Sequence, residues 1–294
     1  MEAKLSPRLA VLILVCVSTC FASNHLCARI AFDHGASVAT GVSVRATFTT
    51  LVLFAMMRLQ GVSLAIPRGL RSRTLLAGLL IASQSYCLYS AVALIPPALA
   101  LLVFQTSPML YALFTWALGR EAPRWRALWP MALALAGLAL ALNLRPAHLA
   151  ADWAAVRVGV GWAFASGASM AIVYYLNANA LKGIDGRLRT FAMTAVTAAL
   201  VIVAGTASGA QALPQAPSGW AGLALLAVFY CVAMASFFFV LPRIPTTTTA
   251  ALNFEPIALL FLSWAILGFT LTPLQIAGAV LTVSAIAWLG LQKR

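Results

Sequence analysis

The chain is 294 residues long, 63% hydrophobic and only 9% charged. So little charge excludes a soluble domain of this size, whose surface would have nothing to hydrate it. The net charge of +13 does not mark a nucleic-acid binder, because the basic residues sit between apolar runs rather than in an aromatic-interleaved patch.

About 20 apolar residues are needed to cross a ~30 Å hydrocarbon core as a helix. Such runs recur ten times: 9–31, 38–57, 74–95, 98–118, 127–143, 157–179, 189–206, 219–241, 246–267 and 273–291. The expected fold is therefore an all-α integral membrane protein of ten transmembrane helices, with no room for a soluble domain. The first span follows Lys4 and Arg8 and runs past Ala22 without a small-x-small cleavage site. It reads as a retained helix rather than a signal peptide. It carries Asn24 and His25.

The second span holds Arg45, the one basic residue clearly inside a run. Two readings are open. Arg45 snorkels to the nearby helix end as a structural residue, or it serves as a gate or carboxylate contact. The basic loop 58–73 follows and suits an interfacial position, as does the loop 144–156. The third span brings Gln84, Tyr86 and Tyr89; the tyrosines are three apart and so are expected on one helical face.

The fourth span is broken at mid-length by Gln105-Thr106-Ser107-Pro108. Shifted by 148 positions, its pattern returns in the ninth: Asn253 for Gln105, Glu255 for Ser107, Pro256 for Pro108, Trp264 for Trp116. A proline in a membrane helix survives only where protein or water re-satisfies the freed carbonyl, and matched interrupted spans point to a transporter's binding site. Pro108 and Pro256 are thus expected as paired hinges. Between them, the sixth span carries Trp162, Tyr174, Tyr175 and Asn177, and the eighth Tyr230 and Phe237 to Phe239. Phe21-Ala22-Ser23 recurs as Phe164-Ala165-Ser166, and Arg45 is paired with Arg189. The halves 1–145 and 146–294 are therefore read as repeats. Five spans per half is an odd number, so the second copy enters from the opposite side and the repeat is inverted, around a central cavity.

Orientation follows from the basic residues. With the N-terminus inside, Lys4, Arg8, Arg58, Arg68, Arg71, Arg73, Arg120, Arg124, Arg126, Lys182, Arg187, Arg189, Arg243, Lys293 and Arg294 face the cytoplasm, and only Arg29, Arg145 and Arg157 face out. Both termini are expected in the cytoplasm, with the chain in the inner (cytoplasmic) membrane.

Glu255 is the only acid well inside a span. It could pair a substrate ammonium, carry a proton, or hold the broken helix as a structural acid. Asn24, His25, Tyr86, Tyr89, Gln105, Trp162, Tyr174, Tyr230, Asn253 and Glu255 are candidates to line a pocket for a small amphipathic solute. The plainer alternatives are interfacial aromatic belts and amides that tie helices together. The five cysteines lack metal-ligand spacing and read as small hydrophobes within spans. The three histidines (25, 34 and 148) are too scattered for an intramembrane enzyme. No metal site and no cofactor is expected.

Phe21-Ala22-Ser23-Asn24 with Ala28-Arg29, Arg45, Ser107-Pro108 through Leu118-Gly119-Arg120-Glu121, Phe254-Glu255-Pro256-Ile257 and Trp264 resemble the drug/metabolite transporter superfamily, in its ten-helix EamA-type branch. The resemblance covers essentially the whole chain. It implies two inverted five-helix repeats around a central cavity and, more narrowly, similarity to bacterial exporters of aromatic and other neutral amino acids. Multidrug or nucleotide-related efflux is the alternative within the class. Gly268-Phe269-Thr270 stands where the family usually has a Gly-Glu pair, so no shared role is carried over to Glu121. There is no ATP-binding loop, so movement would be facilitated or ion-coupled, by alternating access. The expected partners are the solute, the bilayer and, as one option, a second copy in a homodimer.

Overall fold

A computed structural model describes residues 7–119, 125–141, 153–240, 254–268 and 272–291. These form eleven α-helices: α1 (Pro7–Asp33), α2 (Val38–Leu59), α3 (Arg71–Leu94), α4 (Pro97–Phe104), α5 (Ser107–Ala117), α6 (Trp125–Ala141), α7 (Trp153–Tyr175), α8 (Gly186–Ala207), α9 (Pro217–Val240), α10 (Glu255–Leu267) and α11 (Pro273–Leu291). A 3₁₀ turn (Arg68–Leu70) leads into α3, and a π-turn (Leu176–Ala180) ends α7. Among the described residues there is no strand. Seven segments are long and apolar enough to cross a membrane, with shorter apolar helices at Ala132–Ala141, Glu255–Leu267 and Pro273–Ala285. The chain is a multi-pass membrane protein.

The helix ends follow local chemistry. Ser37 caps α2, its hydroxyl accepting from the Thr40 amide at 3.1 Å. Asp185 caps α8, accepting from the Arg187 amide at 2.8 Å. Thr272 and Gln275 form a reciprocal capping box at the start of α11. Gly268 closes α10 in the left-handed conformation (φ 68°) that a side chain disfavours.

The fourth span is two helices rather than one kinked rod. α4 ends at Gln105, Thr106 turns the chain, and Pro108 falls in the first turn of α5, where its missing N–H costs nothing. The Thr106 hydroxyl donates to the Val103 carbonyl at 2.8 Å. The Phe104 carbonyl, four residues before the proline, faces Gly167 of α7, where an added Cβ would stand 3.4 Å away. Backbone that lost a donor thus lies against a helix with no side chain in the way. In the ninth span, Pro256 sits in the first turn of α10; residues 246–253, including Asn253, lie outside the described residues.

The two halves interdigitate. α1 packs on α9 as α3 packs on α7; α2 packs on α9 as α8 packs on α3; α1 meets α10 as α7 meets α4 and α5. α2 with α8, α4 with α10 and α6 with α11 close the set. With α1 matched to α7, α2 to α8, α3 to α9, α5 to α10 and α6 to α11, exchange leaves the named pairings among these helices unchanged; the counterpart of α4 lies outside the described residues. In the α6–α11 pair, Gly137 and Gly278 bring the backbones together, and the Thr282 hydroxyl donates to the Gly278 carbonyl at 2.9 Å and lies 3.3 Å from that of Ala134. Leu12, Leu51, Val203, Phe261, Trp264 and Trp288 are among the large apolar side chains left exposed on the outside, where hydrocarbon solvates them.

The ends of the bundle are closed differently. At one end the turn 208–216 is pinned to the α1–α2 turn. Ser37 N donates to the Ala212 carbonyl (3.0 Å), Thr40 Oγ1 to the same carbonyl (2.8 Å), Gln211 Nε2 to Ser43 Oγ (3.1 Å) and Gln215 N to the His34 carbonyl (2.9 Å). At the other end Met57, Leu181, Ile184 and Leu188 form an apolar cluster with Val62, Ile66 and Leu70. The polar link there runs from Arg187 Nη1 to Gln60 Oε1 at 2.9 Å.

Two consequences can be measured. A Cβ on Gly278 would meet the Gly137 carbonyl at 2.6 Å. Gly278→Leu should therefore destabilise by ~1–3 kcal/mol or more, lowering the melting temperature in detergent. Gly161→Ala, with nothing within 4 Å, should not. Asp185 has its carboxyl held below the ordinary value by the hydrogen bond from Arg187. A lowered folded value means that its contribution is present at neutral pH and fades as pH falls below the usual carboxylate range. The pair is exposed, so Asp185→Asn should lose ~0.2–1 kcal/mol at pH 7, with the difference from wild type shrinking in melting curves as pH falls below the usual carboxylate range.

Candidate solute site

Five helices from both halves bring six polar or aromatic side chains together. α1 supplies Asn24 and His25, α2 Arg45, α3 Tyr89, α9 Tyr230 and α10 Glu255. Asn24 and Tyr89 are fully buried, and Arg45 is 4% exposed.

The Tyr89 hydroxyl is the hub. Arg45 Nη1 donates to it at 3.2 Å, and the Asn24 amide lies 2.6 Å away, its nitrogen also facing the Leu226 carbonyl at 3.2 Å. The His25 ring meets the Tyr89 ring edge-on at 5.8 Å. His25 Nε2 stands 3.4 Å from Glu255 Oε1, joining α1 to the start of α10. Glu255 occupies the first turn of α10, where the helix dipole favours a carboxylate. His25 Nδ1 is buried with no hydrogen-bond partner.

Arg45 lies against two aromatic rings. Its guanidinium carbon lies 4.4 Å from the Tyr89 ring centre and 4.1 Å from that of Tyr230. Tyr230 is steadied in turn by Phe21, edge-on at 6.1 Å. A desolvated cation–π face is worth on the order of 2 kcal/mol, whereas a buried ion loses several kcal/mol of hydration. Two aromatic faces and one hydrogen bond leave that cost only partly offset.

The snorkelling reading of Arg45 is therefore corrected. The α2 N-terminus lies beneath the turn 208–216, and the side chain runs inward to α3 and α9 instead of out to the interface. Its pairing with Arg189 is corrected too. Counted from the caps Ser37 and Asp185, Arg45 corresponds to Met193, which is buried in the apolar cluster at the opposite end.

The other candidates lie outside this cluster, Tyr174 being close enough to interact with Glu255. Tyr174 packs edge-on against Tyr111 at 6.3 Å, and Tyr175 against Phe114 at 5.5 Å, at the α5–α7 contact. Gln105 is half-buried at the α4–α5 turn, and the buried Ser107 hydroxyl beside it lies against the Tyr174 hydroxyl. Gln84 ties α3 to α7 through Ser166, whose hydroxyl donates to the Gln84 carbonyl at 2.9 Å. Tyr86 and Tyr89 do not share an environment: Tyr89 points into the bundle and Tyr86 is 37% exposed. With Trp162, Tyr86 lines a lateral, mostly apolar cavity of about 400 Å³ that also takes in Ser83, Cys87, Leu200 and Ser208. Of the cysteines, Cys27, Cys87 and Cys231 are buried, and Cys16 is exposed on the outer surface of α1. Among the described residues no group of three His, Cys, Asp or Glu could hold a metal ion.

Sequence reasoning missed the meeting of Arg45, Tyr89 and Tyr230, which come from three helices. The available signal was that Arg45 and Glu255 are the only charged residues well inside spans.

One solved crystal structure aligns with a TM-score of 0.65 over 96% of this chain and 96% of its own, at 19% identity, a likeness of fold. No curated relative matches the chain in sequence. A model of the EamA-like transporter family matches twice, at residues 8–143 and 157–291. The two matches begin 149 and end 148 residues apart, close to the spacing of Pro108 and Pro256. The chain belongs to the EamA-like transporter family, and is a membrane transporter of small molecules.

Proposed function

We propose that the protein is a cytoplasmic-membrane exporter of small amphipathic metabolites, above all aromatic and other neutral amino acids. Ten spans form two inverted five-helix repeats, residues 1–145 and 146–294, with both termini cytoplasmic. The two halves rock about their shared seam and expose a central site to each side in turn. The helix pairings that survive exchange of the halves support this arrangement. So does the occurrence of Pro108 and Pro256 in equivalent first turns.

The observation that carries the reading is the buried cluster of Asn24, His25, Arg45, Tyr89, Tyr230 and Glu255 at the seam. It combines aromatic faces, an amide, a cation and an anion, and charge inside a membrane marks a solute or ion path. Tyr89 and Tyr230 give an apolar side chain its walls. Asn24, Gln105 and Asn253 orient polar ends, and Tyr174 lies beside the α5 break. Tyr86 and Trp162 serve the lateral cavity, as a membrane-side approach to the seam. Glu255, with His25 beside it at 3.4 Å, pairs the solute ammonium or carries a proton across.

Counterflow in liposomes tests the reading. Wild-type protein should exchange labelled phenylalanine against internal phenylalanine, with a rate that responds to an imposed pH gradient. Glu255→Gln should abolish the response to the gradient while leaving exchange measurable. Absence of exchange for every neutral amino acid tried would refute the substrate assignment. Unaltered gradient dependence in the variant would make Glu255 a structural acid.

A further inference from the structure

We propose that Arg45 is an anion-binding element, which takes the carboxylate of the solute at the seam between the halves. This rests on the transporter reading above and names the group that the site recognises.

The first argument is an inventory of charge. The chain has six acidic residues. Asp33 is held by Arg29 at 2.9 Å, Asp185 by Arg187 at 3.0 Å, and Glu255 lies against His25 at 3.4 Å. Glu2, Glu121 and Asp152 lie outside the described residues, in stretches that fall between apolar runs. Among the described residues, then, no carboxylate pairs with Arg45, although it is one of the most deeply buried charges.

The second is an inventory of donors. A guanidinium has five N–H groups. Nη1 uses one on the Tyr89 hydroxyl, while Nε is buried with no acceptor among the described residues. The Tyr89 and Tyr230 rings lie 4.4 and 4.1 Å from the guanidinium carbon, and the N–H bonds of a planar guanidinium lie in its own plane, so further partners meet it along the edge. That is the direction from which a planar carboxylate makes two parallel hydrogen bonds. A phosphate dianion would call for additional cations, and among the described residues no Lys or other Arg joins this cluster.

The third argument is that the fold does not require an arginine here. Its counterpart in the other half is Met193, packed among Leu53, Met57 and Leu188. The same helix position in the same kind of pairing is filled by an ordinary apolar side chain. Arg45 is thus a departure from the two-fold exchange, set where solute recognition must itself be asymmetric.

The test uses full-length protein and three probes: phenylalanine, phenethylamine (no carboxylate) and 3-phenylpropionate (no ammonium). In thermal-shift measurements, 3-phenylpropionate and phenylalanine should stabilise the wild type. Arg45→Gln should raise the concentration needed for each by about tenfold or more, with a much smaller change for phenethylamine. Arg45→Lys, a point charge without the fork, should fall between them. Liposome exchange should follow the same order. The inference is overturned if carboxylate probes do not stabilise the wild type. It is also overturned if Arg45→Gln weakens all three probes alike, or if Arg45→Lys binds them as tightly as wild type. The Lys variant decides the matter should the Gln variant fail to fold. Carboxylate-dependent binding without any exchange would instead count against the transporter reading of the substrate, leaving the anion site standing.

Discussion

Hydrocarbon offers no hydrogen bonds, and most of the details above follow from that one deprivation. A polar atom inside the spans has only the protein, or what the protein binds, to partner it. Thr and Ser hydroxyls fold back onto carbonyls three or four residues earlier, as in Thr50, Thr74, Thr194 and Thr197. The break in the fourth span is tolerated because its exposed backbone is met by the Thr106 hydroxyl and by the bare face of Gly167. The same shortage concentrates the expensive groups at one place. Once Arg45 is inside, Tyr89, Tyr230 and Asn24 have to gather around it, and His25 and Glu255 follow through ring packing on Tyr89 and the 3.4 Å contact between their side chains.

Small residues do in this bundle what large apolar residues do in a soluble core. Between helices already surrounded by lipid there is little hydrophobic gain, so close backbone approach supplies the attraction. Gly137 against Gly278, Gly78 against Val196 and Gly222 against the backbone of α1 are three such places, each joining one half to the other. The seam is therefore built from surfaces that can slide without leaving large side chains stranded.

Much of this was legible in the sequence because bilayer thickness sets span length and because proline acts through its own missing hydrogen. Apart from the ninth run, whose first half lies outside the described residues, the helix limits fall within a few residues of the apolar runs, and the α4–α5 turn falls on Gln105 and Thr106, at the expected break. What could not be read was direction across the bundle. A three-residue spacing turns a helix by about 60° short of a full circle, which at the edge of a contact sends Tyr89 inward and Tyr86 to the lateral cavity. Likewise, the distance of Arg45 from its helix end says nothing of the turn 208–216 that covers that end. Matching Arg45 to Arg189 by residue type ignored register, which the caps Ser37 and Asp185 fix.

The unlike closures of the two ends bear on thermodynamics. One is made of backbone and amide hydrogen bonds around Ser37, Thr40 and Gln211, the other chiefly of Leu, Ile, Val and Met. Wetting an apolar seal raises the heat capacity, whereas wetting a polar one lowers it. A movement that opens one end while shutting the other thus carries a net heat-capacity change. Its equilibrium constant must bend with temperature, cooling favouring release of the apolar end. If the halves alternate as proposed, the resting preference for one side is a function of growth temperature as well as of load.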